Sequence, residues 1–290
     1  MQVMRRVATA LTTATLAVLG IIYLPPVAVT AVLVALVALV QLEFYQMVSR
    51  KYEVLPVPGL IAGVLTTCLF WLPDYLRSRG VDPMVGSFSL DDVFGYGAVL
   101  SLASVWLIVL FGRFAAPLSA AAVTFLGYLY IPLLLTPLVL LNAPEGCACG
   151  CCECGLAPLT PPGWVRLLFV VAIVKFSDMG GFAIGKAFGR HKLCPSVSPN
   201  KTWEGLAGSL VGGAGLALGF MPLTGYSPLK SLALGLAGAA VGTLGDLVES
   251  RFKREVGVKD SATFMPAGLG GFLDMFDSLV FVPAALSPFL

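Results

Sequence analysis

The chain has 290 residues, 58% of them hydrophobic and 12% charged, with a formal net charge of +2 and a mean hydropathy of +0.91. A soluble globule of this composition would need one very large core wrapped in almost no polar surface, so a water-soluble domain is excluded. The small net charge says little by itself, and no nucleic acid is expected as a partner.

Apolar segments fall near 7–24, 27–42, 56–72, 95–112, 115–142, 164–187, 204–222, 231–248 and 268–288. Segments of roughly 16–25 residues match the thickness of the hydrocarbon core of a bilayer. The expected fold is all-α, a polytopic transmembrane helix bundle of about eight or nine spanning helices. Its C-terminal helices are expected to form a polar cavity facing the cytoplasm. The stretch Met1–Leu24 carries Arg5-Arg6 ahead of an apolar run, as a cleavable signal peptide would. A second apolar run follows Pro25-Pro26 with no clear A-x-A site between them, so an uncleaved hairpin of two helices is expected. Of the 18 lysines and arginines, this layout puts Arg77, Arg79, Arg166 and Lys230 on one side, Lys175 within a span and the rest on the other side. That bias marks the richer side as cytoplasmic.

Three regions follow. Residues 1–142 hold five apolar segments with scattered charges and no motif, and read as a transmembrane scaffold. Residues 143–163 form a loop outside the cytoplasm, crowded with Cys147, Cys149, Cys151, Cys152 and Cys154. Zinc sites space their cysteines in separated C-x₂₋₄-C pairs, which this cluster does not. A dispensable, partly oxidised loop and adventitious or regulatory metal binding are the two readings, while Cys68 and Cys194 look like ordinary small side chains. Residues 164–290 form the expected catalytic transmembrane region. There Gly181, Gly185 and Gly189 recur every four residues, as do Gly208/Gly212, Gly215/Gly219 and Gly238/Gly242. Small residues at that spacing let helix backbones approach closely within lipid. Three helices packed in this way would hold polar groups in fixed geometry.

Two polar runs stand at the mouths of these segments, Ser198 to Gly205 and Gly245 to Arg254. Ionisable groups at membrane depth mark functional sites by default. Asp246, Glu249, Ser250 and Lys253 stand at i, i+3, i+4 and i+7 and share one helix face. Asp274, Asp277 and Ser278 open the last segment with the same spacing, and Lys175 and Asp178 are an i, i+3 pair upstream. The carboxylates Asp178, Asp246, Asp274 and Asp277 thus project from three helices. Such oxygen donors suit Mg²⁺, which takes one or two carboxylates and completes its shell with water and substrate phosphates. The alternative is mutual neutralisation, Lys175 with Asp178 or Lys253 with Asp274. Ser198-Pro199 reads as a helix start, with serine as N-cap and proline at the first helical position. A helix beginning there would aim free N–H groups at a phosphate, with Lys201 and Thr202 beside them. The segment Gly185 to Gly189 is not a Walker A motif, because no Lys-Ser/Thr pair closes it. His191 is the only histidine and so the only imidazole that could serve as a base.

The motifs resemble those of the phosphatidate cytidylyltransferases (CDP-diacylglycerol synthases) over about residues 175–282. The family pattern Ser-x-Phe/Ile-Lys-Arg, four residues, Lys-Asp, a Pro-x-His-Gly-Gly turn and Leu-Asp-Arg-x-Asp appears here in five pieces. These are Ser250 to Arg254, Lys259-Asp260, Pro266 to Leu269, Gly270-Gly271 and Leu273-Asp274-Met275-Phe276-Asp277. The upstream pattern of an Asp-bearing helix, Gly-Arg-His-Lys-Leu and Ser-Pro-x-Lys-Thr-Trp-Glu-Gly appears as Asp178, Gly189 to Leu193 and Ser198 to Gly205. Two positions depart from it: Leu269 stands for the turn's histidine and Met275 for the arginine after Asp274.

The resemblance implies transfer of CMP from CTP to phosphatidate, with Mg²⁺ as cofactor and a monovalent cation such as K⁺ sharing the carboxylate site. It implies that Asp246 and Asp274 hold Mg²⁺ with Asp277 and Asp178 close by. Lys201, Lys253 and Arg254 would neutralise phosphates, Ser198 and Thr202 would cradle them, and Glu204, Ser250, Lys259 and Asp260 would line the substrate site. It further implies a homodimer in the lipid bilayer of a bacterial inner membrane, with the active site toward the cytoplasm. A CTP-dependent polyprenol or phytol kinase and an ion-coupled transporter are the alternatives. Lys259-Asp260 and the Leu-Asp-x-x-Asp element favour the cytidylyltransferase. The absence of a second copy of the polar runs in 1–142 counts against a transporter built from repeats.

Overall fold

The computed structural model describes residues 18–79, 81, 84–85, 88–142, 161–258, 261 and 271–290. Helix α1 (Pro26–Val48) turns at Lys51 into α2 (Pro56–Ser78); a two-stranded hairpin, β1 (Met84–Val85) and β2 (Phe88–Ser89), leads to α3 (Leu90–Phe111). Helix α4 (Pro117–Tyr128) passes through a π-helical turn (Leu129–Leu133) into α5 (Leu134–Leu141). The turn contains Pro132, which has no amide hydrogen to donate and so resets the ladder. From residue 161 the described chain continues with α6 (Gly163–Phe188), the hairpin β3 (Lys192–Cys194) and β4 (Ser198–Thr202), and α7 (Trp203–Gly219). The chain closes with α8 (Met221–Thr224), α9 (Pro228–Val256), α10 (Phe272–Phe276) and α11 (Val282–Leu286). Proline at the first turn of α1, α4 and α9 starts each helix where no N–H is missed. Gly257, at φ 76°, ends α9 in the left-handed conformation that glycine adopts without strain.

Among the described residues, five helices are long and apolar enough to cross a membrane: Pro26–Val48, Pro56–Pro73, Pro117–Leu141, Gly163–Phe188 and Pro228–Val256. A shorter apolar stretch, Gly95–Phe111, exposes Leu100, Leu107, Leu110 and Phe111, as a lipid-facing helix does. The protein is an all-α, polytopic integral membrane protein with two short hairpins at its loops.

Two local expectations are corrected. Ser198-Pro199 does not start a helix: Ser198 lies in β4, paired with Cys194. The helix begins at Trp203, where the Thr202 hydroxyl caps it by accepting from Gly205 N at 3.1 Å. The strand has the advantage because residues 198–202 find a partner in Lys192–Cys194, so their backbone groups are satisfied across a hairpin. Nor is 268–288 one continuous helix. After Phe276 the chain makes turns in which both Leu279 N and Val280 N bond to Phe276 O, and it resumes as α11 with Pro283 in the first turn. Proline cannot donate to the carbonyl four residues back, and its ring clashes with it. Of the first expected span, only 18–24 falls within the described residues. The Cys147–Cys154 cluster, Lys259, Asp260 and Leu269 lie outside them.

Close glycine contacts define the C-terminal packing. Gly208 on α7 sits against the Gly180 carbonyl of α6, and a Cβ at Gly212 would stand 2.6 Å from Phe176 O. Gly213 and Gly235 bring α7 and α9 together in the same way, as small residues do in lipid. Gly215 and Gly219 have no neighbour within reach of a Cβ among the described residues. Two apolar clusters hold the bundle. One joins Phe169, Ile173, Tyr226, Leu234, Val282 and Leu286. The other joins Phe44, Tyr45 and Met47 of α1 to Tyr130 and Ile131 and to Leu273 and Val280 of the C-terminal segment. The N-terminal helices therefore pack directly against the segment that carries Asp274 and Asp277.

Candidate active site

Helix α9 extends past the apolar segment read from sequence and continues through the second polar run to Val256. It thereby carries Asp246, Glu249, Ser250 and Lys253 along one face. Gly245 lets the C-terminal segment approach that face, since a Cβ there would stand 2.6 Å from Asp277 O. Carboxylate oxygens of Asp246, Glu249 and Asp277 consequently lie within 4.8 Å of one another. Glu249 is fully buried, its Oε2 accepting from Lys253 Nζ at 3.2 Å and its Oε1 without a hydrogen-bond partner among the described residues.

The cations around the cluster are arranged unevenly. Lys201, from β4, pairs with Asp246 at 2.6 Å, and Ser250 Oγ donates to Asp246 Oδ1 at 3.3 Å. Lys253 also pairs with Asp274 at 2.9 Å. Asp274 accepts from Gly271 N at 2.8 Å and from Ser261 N at 3.3 Å, so it sits beside the three-carboxylate group and is engaged with a lysine and two backbone amides. Asp277 accepts from the amide and hydroxyl of Ser278. Asp178 of α6 stands near this group, within electrostatic reach of Lys175, Asp246 and Lys201. Like charges this close in a low-dielectric site repel strongly, and a bound cation is one way to relieve the repulsion. The orphaned buried Glu249 oxygen and an all-carboxylate donor set fit a hard divalent ion.

The first polar run is held over this cluster. Glu204 accepts from Arg190 N at 3.1 Å, from His191 N at 3.3 Å and from His191 Nδ1 at 2.7 Å. It thereby fastens the β3–β4 hairpin to the start of α7. Arg254 Nε reaches Val197 O at 3.5 Å, and Lys201 Nζ reaches Thr243 O at 3.4 Å. Of the sequence candidates, Asp246, Asp277, Asp178, Asp274, Lys201, Lys253 and Ser250 gather around one locus. Thr202 serves as a helix cap, Ser198 and Glu204 order the hairpin, and Arg254 stands exposed at its edge.

Two residues that have no assigned role in the sequence reading stand at or beside this locus. Glu249 lies on the polar face, and its i, i+3 position beside Asp246 is the signal the sequence offers. Glu43 lies in the scaffold, where a carboxylate inside an apolar span is itself a signal. It is fully buried, and its Oε2 accepts from Leu273 N at 2.7 Å at the start of α10. A Cβ at Gly271 would stand 2.6 Å from Glu43 Oε1, so a side chain there would have to displace this carboxylate. Lys175, weighed as a partner for Asp178, donates instead to Met275 O at 2.9 Å.

Comparison with known proteins agrees with the motif pattern. The model of the family described as "Cytidylyltransferase family" matches residues 4–290. A phosphatidate cytidylyltransferase of Mycobacterium bovis is 30% identical over 240 residues, covering 82% of this chain and 71% of that protein. The phosphatidate cytidylyltransferase of Haemophilus influenzae is 43% identical over 123 residues, 40% of this chain and 42% of its own length. That of Staphylococcus aureus is 44% identical over 118 residues, 40% and 45% respectively. With a match running almost end to end and an acidic, lysine-flanked cluster at the motif positions, the chain belongs to the cytidylyltransferase family.

Proposed function

We propose that this protein transfers CMP from CTP to phosphatidate, giving CDP-diacylglycerol and pyrophosphate. A phosphate oxygen of phosphatidate attacks the α-phosphorus of CTP, the bond from that phosphorus to the β-phosphate bridging oxygen breaks, and pyrophosphate leaves. A phosphomonoester is largely dianionic near neutral pH, with a second pKa of about 6, so the attacking group needs no dedicated base. This suits a site whose one histidine is tied to Glu204. What the reaction needs is two polyanions held in line and compensated in charge. The observation that carries the reading is the Asp246–Glu249–Asp277 group flanked by Lys201 and Lys253, in a chain whose relatives bear this activity in their names.

Asp246, Glu249 and Asp277 are the residues that would hold Mg²⁺, with Asp178 and Asp274 at its margin. Bound there, the ion supplies concentrated positive charge against the triphosphate. A monovalent cation such as K⁺ at the same carboxylates follows from the family resemblance, as does a homodimer. Lys201 and Lys253 orient the phosphates and offset their charge, and the hairpin held by Glu204 closes one side of the site. Placement in the inner membrane of a bacterium, site toward the cytoplasm, is supported by the bacterial relatives and by the positive-inside distribution of charge.

The test is pyrophosphate release by purified protein with CTP, Mg²⁺ and phosphatidate, with lipid products weighed by mass spectrometry. CDP-diacylglycerol from the wild type, with Asp246→Asn reduced more than about a hundredfold, is the expected result. Pyrophosphate release without a CDP-lipid, or an unaffected Asp246→Asn, would overturn the assignment.

A further inference from the structure

We propose that Lys175 is a binding residue for the phosphate of the acceptor lipid, delivering from α6 the cation that the family's Leu-Asp-Arg-x-Asp pattern carries at the position of Met275. The inference rests on the phosphatidate reading above. Three observations carry it. First, Lys175 lies near the middle of the apolar span Gly163–Phe188, between the buried Val174 and the exposed Phe176, where an ammonium group needs a polar partner and by default marks a functional position. Its Nζ lies 2.9 Å from the Met275 carbonyl, so its charge rests beside the very residue that lacks one. That carbonyl is available because the helix breaks after Phe276, and Leu279 N bonds to Phe276 O.

Second, the cations around the cluster differ in what they are already doing. Lys201 is paired with Asp246, and Lys253 with Glu249 and Asp274. Lys175 has no carboxylate within ion-pair distance among the described residues, and one carbonyl engages only one of the three donors of an ammonium. It is exposed and so keeps donors for an anion. Third, its surroundings select the kind of anion. Met179 and Phe182, at i+4 and i+7 from Lys175, are 64% and 70% exposed on the same face of α6. A phosphate attached to acyl chains satisfies both the ammonium and that apolar face, whereas a water-borne nucleotide satisfies only the first. Lys175 therefore acts on the lipid, and Lys201 and Lys253 remain for CTP.

The experiment compares wild type, Lys175→Gln, Lys175→Arg and the double variant Lys175→Gln/Met275→Arg in detergent. Initial rates are measured against phosphatidate at saturating CTP, and against CTP at saturating phosphatidate. Glutamine can still donate to the Met275 carbonyl, so the fold is kept while the charge is removed. Loss of a charge-assisted phosphate contact predicts a fall of about tenfold to a hundredfold in kcat/KM for phosphatidate. The KM for CTP stays within about twofold, a split that a purely structural role for Lys175 would not produce. Lys175→Arg keeps most of the lipid activity, and Met275→Arg restores it in the double variant by bringing the cation from the other element. An unchanged lipid kcat/KM in Lys175→Gln, parallel loss toward both substrates, or no rescue by Met275→Arg overturns the inference while leaving the activity standing. A wild type that makes no CDP-lipid overturns both.

Discussion

Glu43 ties the N-terminal helices to the segment that carries Asp274 and Asp277, and Glu43→Ala tests what that tie does for the chemistry. The carboxylate is fully buried on α1, and its Oε2 accepts from Leu273 N at 2.7 Å. Leu273, itself completely buried, stands in the first turn of the five-residue helix that sets Asp274 and, just past its end, Asp277. Truncation leaves a buried amide without its acceptor, at a cost of about 1–3 kcal/mol. So short a helix has few bonds of its own to hold its register, and the cost falls largely on where Asp274 and Asp277 stand. If all of it is expressed as misplacement of these groups, turnover falls by about fivefold to 150-fold, at 1.4 kcal/mol per decade. The assay is kcat for CDP-lipid formation, beside a melting curve in detergent and the wild type as reference. Glu43→Gln keeps an acceptor oxygen and nearly the same volume, so it should recover much of the lost rate. Wild-type turnover in Glu43→Ala would refute the reasoning. So would a loss in Glu43→Gln as large as in the alanine variant, because then the hydrogen bond to Leu273 is not what matters.

Lys253→Met should destabilise the protein by about 3–5 kcal/mol, because it strips the buried Glu249 and the half-buried Asp274 of their shared counter-ion; an unchanged melting temperature would contradict this. Mg²⁺ should raise the melting temperature in a concentration-dependent way, by the linkage of ligand binding to stability, and Glu249→Gln or Asp277→Asn should flatten that response whether or not activity survives. Chelation should abolish product formation and addition of Mg²⁺ restore it; activity persisting in excess chelator would exclude the carboxylate cluster as a metal site. Gly208→Val should fail to give folded protein in size-exclusion chromatography, since the Gly180 carbonyl of α6 occupies the space a side chain needs and overpacking costs about 1–3 kcal/mol or more. Gly215→Val, at a position with no neighbour within reach of a Cβ among the described residues, should behave as wild type.

Much of this protein was legible in its sequence because a bilayer imposes a one-dimensional rule. Spanning segments must be long, apolar and helical, so α1, α2, α6 and α9 could be outlined from hydropathy alone, and the polar residues left inside them were candidates for chemistry. The i, i+3, i+4, i+7 spacing of Asp246, Glu249, Ser250 and Lys253 likewise put them on one face before any contact was known. Hydropathy could not say where those helices end or which carboxylates meet. Helix α9 runs on to Val256 because its polar last turns are satisfied by Lys51, the hairpin and Asp274, all distant in sequence. Ser198-Pro199 has the chemistry of a helix start, but the pairing of β4 with β3 outweighed that local preference. Glu43 and Leu273 are 230 residues apart, and Lys175 and Met275 are 100 apart. Such pairs arise from how helices stack through their glycines and where proline breaks the last one. Periodicity assigns a residue to a face; only packing decides which faces touch, and so which charges are shared.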